Sequence, residues 1–415
     1  MSLAEGVQGR VTYKQYATGV ISSNSQPVST VDPGATGGQV LRRTSFSVNL
    51  EKDTYQATEI SLDRQITDFR HGVKRVTGSM SGELSCGTYW DFMEAVCRGT
   101  ETAAISLSNT ELTSAAAVAS TKTITFAGGD PVASGLTVGM TIRFTGLSAT
   151  ANNTTNFIIT GFGGTSNRDM TVHPAPTDMA ADTTFTVASI GKTVNVPSTG
   201  HVSRKFAIEA HHVDIDVNRL YTECRIGGLN LALPATGLAT IEIPVMGRDM
   251  ETATGASSPF FTAPTSSTTT GLNAAVNGLI RVGGSNLGVV TGANMSFNLN
   301  PAADPVVGQN YVPEIFLGRA NVTGQLTAML EDLTLVNYFV NETEVEVLLW
   351  LLASSAAASD ALSIYMPRVK FGGASIGMEG EGAQIVTMPF QALKLGTAAL
   401  GKPATTIQFS DTAAV

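Results

Sequence analysis

The stretch "GGLNLALPATGLATIEIPV" at residues 227–245 aligns without a gap with "GGASIGMEGEGAQIVTMPF" at residues 372–390, 145 positions further along the chain. The opening double glycines coincide, and so do Pro244 and Pro389. Between these anchors, alternate positions are apolar in both stretches, which is the period of a strand with one buried face. So long a match indicates an internal repeat, and we interpret the chain as two copies of one structural unit.

A second pair of matching stretches lies upstream of the first. "SMSGELS" (79–85) resembles "NVTGQLT" (321–327) at a spacing of 242, and an arginine precedes each member of the first pair, Arg225 and Arg368. The two spacings differ by 97, so the first copy carries about that many extra residues between its matched halves. They fall at 108–200, where short alternating runs are separated by turn residues, a pattern that predicts an inserted all-β domain.

These matches predict the domain division of the chain. It comprises a first copy at 1–107 and 201–250, an insert at 108–200, a linker at 251–280 and a second copy at 281–415. The linker segment is rich in Ser, Thr, Gly and Pro, the residues that dominate loops between regular elements. The many glycines and the short strand patterns predict a mainly β protein.

One helix is predicted in each copy. In the first copy, Tyr89, Phe92, Met93 and Val96 follow the spacing of one helix face. Thr88 is the expected N-cap of that helix, and Gly99 is the expected C′ residue just beyond its end. In the second copy, "EDLTLVNYFVN" (331–341) has a similar pattern about ten residues beyond its matched block.

A hairpin is predicted after each helix. In the second copy it joins "TEVEVLLWLLA" (343–353) to "ALSIYMPRVKF" (361–371). In the first copy we expect "ETAAISL" (101–107) to pair with "RKFAIEAHHVDI" (204–215), with the insert at the hairpin tip. An added domain is tolerated at such a tip because the two strand ends stay close together.

Composition excludes several classes of protein. The net charge of −9 and the pI near 5.1 argue against a nucleic-acid binder that depends on basic patches. The strongest apolar run, 345–353, is too short to span a bilayer and contains a glutamate. The first ten residues lack the pattern of a secretory signal, and three cysteines do not form a disulfide framework, so we expect reduced thiols.

Two motifs suggest chemistry, and neither is favoured. "GASIG" (373–377) matches the Gly-x-Ser-x-Gly elbow around Ser375, but that elbow needs a strand-to-helix turn and the stretch lies in a repeated strand pattern. His212, Asp214 and Asp216 would share one strand face as a possible metal cluster, but a solvated or subunit-facing polar face is the favoured interpretation. We predict no catalytic residue, no cofactor and no metal.

The segment "EKDTYQATEISLDRQITDFRHGVKRV" (51–76), which we name the first arm, is unusually rich in charges of both signs. It is either a solvated surface loop or a contact arm, because mixed-sign patches fix the register between protein partners. On the second interpretation the predicted subunit interface comprises Tyr55, Glu59, Asp63, Arg64, Ile66, Phe69, Arg70 and Arg75.

Several stretches together resemble the tail tube (major tail) proteins of long-tailed bacteriophages, in particular the larger ones with two tandem copies of the tube fold. In the first copy they are 41–85 and "YTECRIGGLNLAL" (221–233), and in the second "GRANVTGQLTAMLEDLTLVNYFVN" (318–341) and "LSIYMPRVKF" (362–371). The resemblance implies two β-sandwich or half-barrel tube domains, each with a flanking helix, in addition to the inserted small β domain.

The resemblance also implies a function. It implies a structural virion protein that assembles into stacked rings around a conduit for DNA ejection. Tube proteins with one copy of the fold close as six-membered rings, so two copies per chain imply a homotrimeric ring with pseudo-sixfold symmetry. The implied partners are further copies of the chain, the tape measure protein and genomic DNA in the lumen, and other tail proteins at the tube ends. The implied location is the virion tail, assembled in the host cytoplasm, with no membrane partner.

Three further expectations follow from the tube interpretation. The insert should lie outside the tube, where its deletion would be tolerated. The first arm should dock on the next ring, so that reversing Arg64 and Arg70 together stops polymerisation. The alternatives are a hub or terminator ring of the tail, and a carbohydrate-binding or adhesin module, although the insert contains no Trp or Tyr.

Overall fold

The computed structural model describes residues 5–17, 33–60, 62, 64–274, 277–377 and 382–414. Antiparallel strands dominate, which confirms the predicted mainly β class. The first copy opens with strands β1 (Gly9–Gln15), β2 (Gln39–Val40), β3 (Ser45–Phe46), β4 (Asn49–Gln56) and β5 (Phe69–Glu83), followed by helix α1 (Trp90–Cys97).

The inserted region forms a separate antiparallel sheet. Its elements are β6 (Ser106–Ser108), α2 (Asn109–Leu112), β7 (Ala115–Val118), β8 (Thr123–Phe126), β9 (Thr141–Thr145), α3 (Thr150–Asn153), β10 (Asn156–Gly163), β11 (Asp169–His173), β12 (Met179–Asp182) and β13 (Thr186–Ser189). The strands pair in the order β12-β7-β8-β11-β10-β9-β13-β6.

The rest of the chain completes the first copy and builds the second. The first copy continues with β14 (Lys192–Asn195), β15 (Phe206–His212), β16 (Val217–Ile226), β17 (Gly228–Pro234), β18 (Thr240–Gly247) and β19 (Asp249–Thr254). The second copy comprises β20 (Leu279–Val282), β21 (Ser285–Asn286), β22 (Val290–Asn298), β23 (Asn321–Met329), α4 (Thr334–Val340), β24 (Val345–Leu352), β25 (Ala361–Phe371), β26 (Ser375–Ile376), β27 (Ile385–Ala392) and β28 (Gln408–Asp411). Short 3-10 turns lie at Gly6–Gln8, Thr165–Asn167 and Gly255–Ser257.

Strand register confirms the repeat. Arg225 lies opposite Met246 where β16 meets β18, and Lys370 lies opposite Gln391 where β25 meets β27, so both strands keep the offset of 145. Both copies also shift register at the same place. The shift lies between Phe206 and Ile208 in β15 and between the equivalent Val345 and Val347 in β24. A shared bulge is a specific feature of a strand pair, so the two units have one fold.

The predicted hairpin of the first copy was wrong. Register makes β15 the equivalent of β24, and β15 pairs with β16 and β1, whereas β6 pairs within the insert's sheet. The insert therefore lies on the connection from α1 to β15, and not at a hairpin tip. The sequence match at 101–107 depended on a few small residues, which do not specify a strand partner.

Each copy contains two sheets. The outer sheets are β1–β15–β16–β19 in the first copy and β20–β24–β25–β28 in the second, with β14 added beside β28. The inner sheets are β4–β5–β18–β17 and β22–β23–β27–β26. Because β17 pairs with β22 from Gly228↔Asn298 to Pro234↔Gly292, the two inner sheets form one continuous sheet over a shared core.

Helices α1 and α4 confirm the two predicted helices, but the predicted N-cap of α1 was wrong. The N-cap is Tyr89, and the hydroxyl of Thr88 instead lies within hydrogen-bond distance of Ser85 and Thr268. The C-cap is Arg98, which is left-handed with a φ of 53°, and Gly99 follows it as the predicted C′ residue. Phe92 of the helix packs on Tyr13 and Phe206 in the core.

The insert packs on the outer sheet of the second copy. Trp350 of β24 is buried in the insert's core and donates a hydrogen bond from Nε1 to Thr141 Oγ1 at 3.2 Å. Asn156 and Gln408 donate across the same boundary, to the carbonyls of Ser359 (2.8 Å) and Val138 (3.0 Å). The insert therefore completes the second copy, and deletion of 108–200 is no longer expected to be tolerated.

The connector between the copies covers the outer sheet of the first copy. Phe261 is fully buried against Ala207 and Leu220, and its backbone N–H and that of Phe260 donate to the carboxylate of Glu209. Residues 251–254, predicted as linker, belong to β19. Both outer faces are thus covered by segments of the same chain, while the polar side of the continuous inner sheet remains exposed.

Candidate assembly surfaces

The continuous inner sheet presents a polar face on the side opposite the core. Alternation along each strand sends Leu231, Ile241 and Met295 into the core. The opposite face carries Ser79, Ser81, Asn230, Glu242, Asn294, Ser296, Asn321, Thr323, Gln325, Thr387 and Gln391. Hydrogen bonds link neighbouring side chains across this face, with Ser296 2.7 Å from Asn230 and Gln391 donating to Asn321 at 2.8 Å.

Charge on this polar face is sparse and negative. Among β17, β18, β22, β23, β27 and the 77–83 part of β5, all of them described, the charged residues are Glu83 and Glu242, and none is Lys or Arg. The cations of β5 lie at its other end, in the first arm. A surface without cations has no group that could hold a phosphate backbone by counterion release.

Both ends of the inner sheet are free edges. Within the described ranges, β26 pairs with β27 alone, and β3 and β4 pair with β5 alone. The internal joint shows what each edge matches. Residues 373–377 are equivalent to the start of β17, and strand register makes 41–47 equivalent to the paired part of β22. Unpaired strand edges are ready sites for pairing with another chain.

The first arm projects beyond the sheet as an extension of the β4–β5 hairpin. Its exposed apolar side chains are Tyr55, Ile60, Leu62, Ile66 and Phe69. Its charges are partly paired within the arm, since Arg70 lies 2.7 Å from Asp68 and Arg75 lies 3.2 Å from Asp53. Of the predicted interface residues, Glu59 and Arg64 are exposed and Asp63 lies outside the described residues. The described residues of the predicted interface therefore lie on one hairpin and the segment that joins its strands, and their role in contacts stays a prediction.

The equivalent segment of the second copy, 299–320, is named the second arm, and it lies against the first copy. Val312 and Ile315 are buried on Val73, and the carbonyl of Asn310 accepts from the Lys74 N–H at 2.9 Å. The guanidinium of Arg248 lies 4.4 Å from the ring centre of Tyr311, within cation–π range.

A buried ion cluster lies beneath the second arm. Glu314 of the arm reaches Lys205 at 3.1 Å and Arg225 at 2.9 Å, while Glu223 reaches Lys205 at 3.2 Å and Arg248 at 2.8 Å. Burial lowers the pKa of Arg225, an effect that Glu314 opposes. Buried charges of this kind need partners, so Glu314 ties the second arm to the first copy.

The second copy carries an equivalent cluster in which two of the three charges are exchanged. By register, Glu344, Arg368 and Lys370 occupy the positions of Lys205, Glu223 and Arg225. Arg368 binds both carboxylate oxygens of Glu344 at 2.6 Å, and these hydrogen bonds lower the pKa of Glu344.

The two versions of the cluster differ most in exposure. The Lys205 and Glu223 side chains are 2% and 8% exposed, whereas those of Glu344 and Arg368 are 39% and 38% exposed. Sequence reasoning missed this cluster. The offset of 145 that aligns the double glycines also aligns Arg368 with Glu223, and not with Arg225. Applying it to these residues would have shown the exchanged charge.

The comparison with known proteins agrees with this architecture. The family model described as phage tail tube protein matches the chain twice, over residues 9–203 and 177–392. The chain belongs to the phage tail tube protein family. The two matches confirm the tandem, two-copy interpretation, and the family is a structural, non-enzymatic one. No curated protein matches the chain.

The limits of the two matches differ from the structural copies of this tail tube protein. The first match ends at 203, before β15, although β15 to β19 complete the first copy in the structure. The match therefore runs through the insert, and the exact division into domains, including the limits 108 and 200, stays a proposal.

The residues considered for chemistry in this tail tube protein do not form sites among the described residues. Asp214 and Asp216 lie in the turn between β15 and β16, where Asp214 accepts from the Glu5 N–H and Asp216 lies 3.3 Å from His211 rather than His212. Ser375 lies in a strand that pairs with β27, and not at a strand-to-helix turn. Over the same residues, no cluster of metal-ligating side chains was found, and no helix has the length and apolarity to cross a membrane.

Proposed function

We propose that three chains of this tail tube protein close into a ring and that the rings stack into a hollow tube. The internal β17–β22 joint carries this proposal, because the two free edges of the inner sheet are equivalent to the two halves of that joint. Repeating the joint between the 373–377 edge of one chain and the 41–47 edge of the next continues the sheet with equivalent contacts. Three chains then supply six quasi-equivalent units, and closed cyclic symmetry leaves no free edge.

We propose that the polar face of the inner sheet lines the lumen. Small uncharged side chains with scattered carboxylates would repel phosphate weakly and would not hold it, so duplex DNA could slide. The same lumen would hold the tape measure protein before ejection. The insert lies on the second copy's outer sheet, on the far side of the core from this face, so it would lie outside the tube.

The remaining partners and the location follow from the same proposal. Other tail proteins would contact the ring surfaces at the two tube ends, and assembly would take place in the host cytoplasm before the tail joins the virion. A hub or terminator ring is the second candidate, since such a component would share the ring-forming edges. It would form single rings rather than long tubes.

Electron microscopy of the purified full-length protein tests the proposal. We expect hollow tubes whose averaged cross-section has threefold symmetry, with six similar densities and three insert densities on the outside. Single rings that never stack would favour the hub or terminator candidate. A ring of six chains, or a protein that stays monomeric at high concentration, would contradict the proposed ring.

A further inference from the structure

The two ion clusters of this chain are equivalent in position but not in surroundings. The first lies under the second arm, which contributes Glu314 to it. The second, comprising Glu342, Glu344, Arg368 and Lys370, is exposed and is named the open patch. The first arm, which is equivalent to the covering segment, projects away from its own copy with its apolar side chains exposed.

We propose that the open patch receives the first arm of a second copy of this chain, the neighbour in the same ring. The inference rests on the proposed ring and goes further, because it assigns the arm to a lateral contact rather than to the next ring. It also identifies the residues on both sides of that contact.

Chain connectivity supports the lateral contact. The second arm leaves from β22, which pairs with β17, and β17 directly follows β16, the strand that carries Glu223 and Arg225. In the proposed joint, the first arm leaves from the strand that would pair with 373–377. That edge directly follows β25, the strand that carries Arg368 and Lys370. Equivalent pairing would therefore place the neighbour's first arm beside the open patch.

Apolar surface is available on both sides of the proposed contact. Phe316, which the repeat offset of 242 places at the position of Lys74, is 56% exposed. Lys74 is the residue whose backbone the second arm contacts in the first copy. On the arm, Ile60 and Ile66 are 103% and 65% exposed, so burying these side chains against Phe316 would remove apolar surface from water.

The charges of the two surfaces are also complementary. Lys370 occupies the position of Arg225, and its own partner Glu342 is 3.4 Å away and 82% exposed, so Lys370 is only loosely paired. Among the described residues, the hydrogen bond recorded for the Glu59 carboxylate on the arm comes from the Thr67 hydroxyl, at 3.3 Å. Within the chain, Glu314 pairs with Arg225. We assign the equivalent role to Glu59 of the neighbouring chain, which would pair with Lys370.

Crosslinking in assembled tubes tests the lateral contact. The full chain with Glu59→Cys and Lys370→Cys is assembled, treated with a short bis-maleimide and separated by denaturing electrophoresis. The native Cys86, Cys97 and Cys224 are buried, and burial raises the pKa of their thiols, so they do not compete. A contact within a ring closes on itself, so the covalent trimer is the largest product expected.

Each other outcome has one meaning. A ladder extending beyond three chains would show that the arm bridges rings, and tubes without crosslinks from this pair would show that it lies elsewhere; both overturn the inference and leave the tube intact. A second pair, Ile66→Cys with Phe316→Cys, checks the apolar half and should give the same trimer limit. Failure of the unmodified chain to form tubes would instead overturn the proposed function.

A charge exchange tests the assignment of Glu59. Lys370→Glu should raise the protein concentration needed for assembly by at least about tenfold, and adding Glu59→Lys should restore most of that loss. Lys122→Glu, on an exposed turn of the insert, is the matched control and should assemble normally. Equal loss from the control, or no recovery in the double variant, would contradict the pairing.

Discussion

The two arms begin at equivalent strands and have opposite surroundings. The second arm is held against the first copy by Val312, Ile315 and the half-buried carboxylate of Glu314, whereas the apolar side chains of the first arm are exposed. The contact between the second arm and the first ion cluster is therefore made within the chain. The equivalent contact, between the first arm and the open patch, is not made within the chain. The difference indicates that a duplicated unit becomes an assembling subunit when only one of two equivalent contacts is satisfied internally.

The outer faces of the two copies show the same principle in a different way. The connector covers the first with Phe261, and the insert covers the second around Trp350. Neither outer sheet is left as an apolar surface for another molecule. Among the described residues, this leaves the polar inner face, the sheet edges, the open patch and the first arm as surfaces for assembly.

The largest expected effect comes from the face that the insert covers. Trp350→Ala removes a fully enclosed ring and should lower the free energy of unfolding by about 3–5 kcal/mol. At the equivalent position of the first copy, His211→Ala should cost about 1 kcal/mol, because it removes mainly hydrogen bonds. Chemical denaturation of the two variants measures the comparison. Equal losses would show that the insert contributes no more than the connector does.

The second largest effect on the free energy of unfolding is expected at the ion cluster under the second arm, and not at the open patch. Glu314→Ala leaves Lys205 and Arg225 buried with one partner fewer, so the free energy of unfolding should fall by about 3 kcal/mol. Glu344→Ala, at the exposed pair, should leave subunit unfolding unchanged in the same denaturation experiment. If both variants unfold like the wild type, the second arm is not held by Glu314.

The C-terminal strands differ in a way that pH can reveal. Asp411 is buried and accepts from the Gly87 and Ala413 N–H groups, and burial raises its pKa to about 6, whereas the equivalent Thr254 is exposed. Because the folded pKa exceeds that of the unfolded chain, the protonated carboxyl favours folding. This stabilisation is present below about pH 4 and is lost by about pH 6.

Asp411→Asn isolates that effect, because the amide does not titrate. The difference in unfolding free energy between the two proteins should change by about 2–3 kcal/mol from pH 4 to pH 7, with the wild type losing stability as pH rises. Thr254→Asn in the first copy is the control and should show no such trend. A constant difference across this range would mean that Asp411 stays ionised in the folded protein.

The smallest effect on the subunit is expected from the first arm. Arg64→Glu with Arg70→Glu should leave unfolding unchanged, because both side chains are exposed, yet should block polymerisation by placing negative charges near Glu342 and Glu344. Hydrogen exchange of 51–76 should slow on assembly of the wild type. Normal tubes from the double variant, or equal exchange before and after assembly, would make the arm an ordinary surface loop.

Periodicity in the sequence was enough to identify the repeat, both helices, the β24–β25 hairpin and the all-β insert. These features are local, since they depend on residues a few positions apart that share one face of a strand or helix. The N-cap of α1 was misplaced by one residue, because the hydroxyl of Thr88 lies within hydrogen-bond distance of the distant Thr268 and does not cap the helix. The strand after the insert was misassigned, because its partner is set by a bulge and by contacts across the core.

The sequence by itself determined that this chain is a duplicated β protein, and its repeated blocks indicated the tail tube family. Only the tertiary structure decided which arm is docked and which is open. Lys205 and Glu314 are more than one hundred residues apart, and their pairing depends on the β17–β22 joint that brings the copies together. Charge patterns show which residues can form ion pairs, but burial, which decides whether such a pair holds the chain together, is a property of packing between distant segments.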